Sequence, residues 1–109
     1  MNSRTKGKVG ELELAAFLRD HGFDARRGQQ FHGGAFSPDV VCPDLPGYHL
    51  ECKRVEAGNL YTWFGQADLD AGVEKIPMVV HRRNRKPWMA ILRFEDFLDL
   101  YRKTYPSAV

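Results

Sequence analysis

Apolar residues in this chain recur at two spacings, the helical one in three stretches and the alternating one of strands in five. The first helical stretch covers residues 6–21 and stops at Gly22, a residue type common just past a helix end. Residues 23–27 alternate apolar and polar, as a half-buried strand does. A polar, glycine-bearing loop follows over residues 28–37. Residues 38–42 form a short strand, 43–47 a turn, and 48–55 the clearest strand of the chain. On that strand Tyr48, Leu50 and Cys52 point to one face, and His49, Glu51 and Lys53 to the other. Asn59 is placed to cap a second helix over residues 60–73. Residues 76–82 are a strand, 83–87 a basic turn, 88–93 another strand, and 94–103 a third, amphipathic helix.

The expected order is therefore α-β-β-β-α-β-β-α. It describes an α/β (α+β) domain with a mixed central sheet flanked by helices. The length of 109 residues suits one domain spanning residues 1–109, and 43% hydrophobic residues suffice for a single core. No repeat or linker divides the chain, and no apolar run approaches membrane-spanning length.

A net charge of +2 says little about partners, but the basic residues are clustered. Lys6 and Lys8, Arg26 and Arg27, Lys53 and Arg54, and Arg82, Arg83 and Arg85 form local patches that suit a polyanion as well as plain solvated surface. Cys42 and Cys52 belong to no metal-ligand spacing, which argues against zinc fingers and for buried thiols in a reducing cytoplasm. His21, His49 and His81 also lack ligand spacing and receive no role.

Glu51 and Lys53 share a strand face. Taken alone, the pair also describes an exposed ion pair. Asp39 changes that reading. It opens a short strand 12 residues before Glu51, across a Pro/Gly turn, so the returning strand brings the two carboxylates together. Such a pair repels unless a cation lies between them, and an oxygen-seeking divalent ion such as Mg²⁺ answers the need. The backbone carbonyl of Cys52 is near enough to serve as a further ligand. Glu11 has Leu14, Ala15 and Leu18 on its own helix face and so points inward, requiring either the metal or Lys53 as partner, or else the edge of the stripe and solvent. Metal, carboxylates and lysine together suit phosphodiester hydrolysis, with Lys53 orienting or deprotonating the attacking water or stabilising the oxyanion.

These residues resemble the motif of the PD-(D/E)xK nuclease superfamily: Pro38-Asp39 followed by Glu51-Cys52-Lys53. The sequence is most similar to the archaeal-type Holliday junction resolvases and their small phage-borne relatives, in which a Lys-Gly pair precedes a helical glutamate, as Lys6-Gly7 precedes Glu11. A glutamine on the helix after the Glu-x-Lys strand is common there, and Gln66 matches it. The resemblance implies a restriction-endonuclease-like core with a mixed five-stranded sheet. It implies an endonuclease dependent on Mg²⁺, with Mn²⁺ substituting. Glu11, Asp39, Glu51, Lys53 and Gln66 then form the catalytic set, and Glu11, Asp39, Glu51 and Cys52 bind metal. A homodimer acting on four-way DNA junctions in the host cytoplasm follows from the same likeness, since two opposed strands require two active sites. Other targets for the same chemistry, such as nicking, branched-DNA or restriction-type cleavage, stay open, as does a non-catalytic DNA-binding module.

Lys6, Lys8, Arg26, Arg27, Gln29, Arg54, Tyr61, Arg82, Arg83 and Arg85 are the expected DNA contacts. Ser37, in the loop with Gln29, Gln30 and His32, stands either as the catalytic serine some resolvases carry or as a turn initiator before Pro38. Trp63 and Phe64 are expected to pack, and Trp88 to lie in the core or at a dimer interface.

Overall fold

The computed structural model describes residues 3–28 and 38–106, with side chains described over 7–28 and 38–106. Expectations for the Lys6 side chain, Gln29 and Ser37 lie outside the described residues. The elements are α1 (Ser3–Asp20), β1 (Arg26–Arg27), β2 (Val40–Val41), β3 (Tyr48–Arg54), α2 (Leu60–Ala71), β4 (Ile76–Arg82), β5 (Met89–Ile91) and α3 (Phe94–Thr104), in the expected order.

The five strands form one mixed sheet in the order β1-β2-β3-β4-β5. Only β3 and β4 run parallel, paired from Tyr48↔Ile76 to Arg54↔Arg82. A parallel pair needs a crossover, and α2 supplies it. All other neighbours are antiparallel. Four strands, β1, β2, β3 and β5, are shorter than expected, because a side-chain pattern reports which way residues face, whereas a strand extends only where a backbone partner exists. Ahead of β1, for example, the Asp24 N–H bonds the Asp44 side chain at 2.6 Å instead of a strand.

The sheet is a middle layer. On one face Leu14 and Ala15 of α1 pack with Val40 and Leu50, joined at the edges by Cys52, Met78, Val80 and Trp88. Trp88 is thus a packing residue, as expected. On the other face the buried side chains include Ala67 and Ala71 of α2, Pro77 and Val79 of β4, and His49 and Glu51 of β3. Asn59 caps α2 as expected, its Oδ1 accepting from the N–H groups of Tyr61 and Thr62 at 2.9 and 3.1 Å.

Close approach of α1 to β3 depends on Gly10. A Cβ there would fall 2.5 Å from Cβ of Arg54. One turn on, Glu13 is half-buried and accepts from Arg54 Nε at 3.0 Å while also pairing with Arg82. Helical spacing does not reveal this clamp. Truncation of Glu13 would remove the shared carboxylate from two partly buried guanidiniums, at a cost of about 1–3 kcal/mol. Thermal melts should show Glu13→Ala below wild type by roughly 4–8 °C for each kcal/mol lost, with Glu13→Gln in between. A variant that melts with wild type would show the clamp to be dispensable.

No described residue of α3 is buried. Phe94, Phe97, Tyr101 and Tyr105 form an exposed aromatic ladder along it, with successive ring centroids 6.1, 6.4 and 4.9 Å apart. The helix is anchored at its start, where Arg93 pairs with Asp68 of α2 at 2.8 Å and lies over the Phe64 ring at 5.1 Å.

Candidate active site

The candidate site forms where β2 meets β3. Asp39 immediately precedes β2; its N–H donates to the Leu50 carbonyl at 3.1 Å, and its Oδ2 accepts from the Cys52 N–H at 2.9 Å. Gly28 holds the strand from the other side. Its N–H donates to the Asp39 carbonyl at 2.8 Å, and a Cβ at Gly28 would come within 2.0 Å of the Pro38 carbonyl oxygen. Only glycine admits that approach, a constraint the sequence pattern does not disclose.

Glu51 is 6% exposed and projects from the same sheet face as His49 and Lys53. Burial, then the negative charge of Glu51, push the Asp39 carboxyl up from 3.8 to about 7; Glu11 adds to the rise, while the Cys52 N–H and the Lys53 ammonium oppose it. The four expected charged residues are therefore gathered into one electrostatic neighbourhood, and carboxylates dominate it. The Cys52 thiol is pushed well up by burial and then by the charges of Asp39, Glu11 and Glu13, which keeps it a neutral packing group.

Glu11 reaches this neighbourhood, and its direct side-chain partner is Arg27 rather than Lys53. Arg27 Nε donates to its Oε1 at 2.8 Å. Arg27 is thus engaged within the protein, as are two more of the expected DNA contacts. Arg54 bonds Glu13, the Arg82 carbonyl and Asn84, and Arg82 pairs with Glu13 and bonds the Lys86 carbonyl. These guanidiniums brace the β4–β5 turn against α1 and β3. Lys8, Arg26, Arg83 and Arg85 are exposed, and Tyr61 is 83% exposed.

Gln66 is exposed on α2, and its Nε2 donates to both carboxylate oxygens of Asp70 at 3.1 Å. Asp70 faces His49 and Glu51: one ligand atom from each of the three lies within 4.8 Å of the others. Neither Asp70 nor His49 is singled out by sequence spacing. The signal present was Asp70 one helical turn beyond Gln66, on the same helix face.

A mixed sheet flanked by helices, with a carboxylate before one strand and Glu-x-Lys on the next, defines a PD-(D/E)xK nuclease core. Over residues 2–109 the chain matches one family throughout and belongs to it: "Phage putative PDDEXK endonuclease". No curated protein and no solved structure matches it. No described helix is long and apolar enough to cross a membrane.

Proposed function

We propose that the protein is a Mg²⁺-dependent DNA endonuclease acting on branched DNA, with four-way junctions as its preferred target. The observation that carries the metal-dependent reading is the raised Asp39 carboxyl beside buried Glu51. Two carboxylates held together in partial burial are costly to ionise, and a hard divalent cation removes that cost. The donors fit such an ion, since Asp39, Glu51 and the Cys52 carbonyl would offer it oxygen alone. When bound, the ion polarises water and neutralises charge on the phosphate. The chain's own groups set the geometry: the Cys52 N–H fixes the Asp39 carboxylate, and Arg27 fixes Glu11. Lys53 donates from Nζ to the reacting phosphate as its charge develops.

Lys8, Arg26, Arg83, Arg85 and Tyr61 supply exposed contacts to the DNA backbone, which position the duplex without reading sequence. Selectivity for junctions rests on the resemblance to resolvases. So does a homodimer, which the aromatic ladder of α3 also supports, because so much exposed aromatic surface on a monomer marks an interaction face.

Cleavage with Mg²⁺ on four-way junction, flap, linear duplex and single-stranded DNA tests the function. Paired, symmetric nicks confined to the junction are expected. Equal cutting of linear duplex would sink junction selectivity and leave the nuclease standing; no cutting of any substrate would sink both. Solution mass tests the dimer. Wild type should sediment as a dimer and Phe97→Asp with Tyr101→Asp as a monomer, whereas a monomeric wild type would refute the pairing.

A further inference from the structure

We propose that His49, Glu51 and Asp70 form a site for a first-row transition-metal ion such as Co²⁺ or Zn²⁺, beside the Asp39–Glu51 pair and sharing Glu51 with it. Three side chains from two elements converge there, with ligand atoms within 4.8 Å of one another. Ligands at about 2.0–2.2 Å around one tetrahedral ion lie roughly 3.3–3.6 Å apart, so closure draws the three groups together, shortening a separation by up to about 1.5 Å through side-chain rotation.

The independent observation is the imidazole. His49 is 3% exposed, and its Nε2 is buried with no hydrogen-bond partner. A buried polar nitrogen left in this state is costly and needs a reason. Nε2 points toward the acidic pair, 3.8 Å from Glu51 Oε1, too far for a hydrogen bond. An ion between the three groups would engage that nitrogen and offset the repulsion between Glu51 and Asp70. The Gln66 amide, bonded to both oxygens of Asp70, holds the third ligand from outside the site.

Donor chemistry selects the ion. Two carboxylates alone favour Mg²⁺, but an imidazole nitrogen shifts preference toward Co²⁺ and Zn²⁺. The site would therefore differ in selectivity from the all-oxygen set around Asp39.

Co²⁺ titration of the metal-free protein, read by visible absorption and calorimetry without DNA, tests this. Wild type should develop the absorption of a nitrogen-containing Co²⁺ site that excess Mg²⁺ does not bleach. His49→Gln and Asp70→Asn should each weaken uptake at least about tenfold, the scale on which support of metal ligands acts. Asp39→Asn should retain the absorption. If His49→Gln fails to fold, Asp70→Asn, at a half-buried position, decides alone. Co²⁺ uptake unchanged by both substitutions, or lost only in Asp39→Asn, would overturn the proposal. Because no cleavage enters the readout, its failure is separable from failure of the nuclease reading.

Discussion

Asp39→Asn is expected to lose DNA cleavage by a factor of at least about 10³, and at the same time to stabilise the metal-free protein at neutral pH. The first effect follows from removing a charged oxygen from the proposed metal ligands, on which both charge neutralisation and water activation depend. The second follows from the electrostatics of the site. The asparagine keeps an oxygen to accept from the Cys52 N–H, so the local geometry survives. The cost of burying the Asp39 charge and its repulsion with Glu51 do not.

The pH dependence gives the sign. In the folded protein the Asp39 carboxyl keeps its proton up to about 7, against 3.8 when unfolded. Between those values the folded state holds more protons, so stability falls as pH rises through the window. It is full below about 4 and has been lost once pH passes about 7. Discounted for the water that reaches a half-buried carboxyl, the loss is on the order of 1–3 kcal/mol. In EDTA, wild type should melt several degrees lower at pH 8 than at pH 4.5, and Asp39→Asn should show a flatter profile. Addition of Mg²⁺ at pH 8 should raise the wild-type melting temperature and leave the variant nearly unmoved, since a ligand stabilises only the state that binds it. Parallel pH profiles for the two proteins would show that the Asp39 carboxyl is not raised in the folded state.

Lys53→Ala should reduce cleavage by about 10²–10⁴-fold, the range for removing one well-placed charged or proton-donating group, with little change in junction affinity. The lysine is half-buried among carboxylates and opposes the rise in the Asp39 carboxyl. Under the proposed function it acts at the reacting phosphate, and the exposed basic residues carry DNA binding. Lys53→Arg keeps the charge but displaces the donor, and partial activity is expected. Binding by gel shift with Ca²⁺ and cleavage with Mg²⁺ separate the two functions. A fully active Lys53→Ala enzyme would exclude the lysine from the mechanism, and a parallel loss of binding would assign it to DNA contact.

Alternation along residues 48–55 placed His49, Glu51 and Lys53 on one face, and β3 carries them on one face. The short turn after Asp39 returned the chain so that Val40 pairs with Leu50, which sets Asp39 beside the Glu51–Cys52 backbone. Asn59 caps the helix it precedes. Each of these depends on neighbours a few residues away or on one tight turn, which is why the amino-acid sequence by itself determined them. It also determined the family, through Asp39, Glu51 and Lys53.

Partners across long separations were decided only by the tertiary structure. Glu11 and Arg27 are 16 residues apart, Glu13 and Arg54 are 41, and Glu13 and Arg82 are 69. Periodicity shows that a charged side chain faces inward. Which opposite charge meets it depends on how α1 crosses the sheet, and that crossing is set by the contact of Gly10 with Arg54. Arg27, Arg54 and Arg82, expected as DNA contacts, are each held by a carboxylate of α1. Asp70 meets His49 and Glu51 because the parallel pairing of β3 and β4 lays α2 across the face of the sheet that carries Glu51 and Lys53. Asp39, Glu51 and Lys53 could be read from the strand pattern; whether a further ion joins them depends on a helix that only the folded chain brings over them.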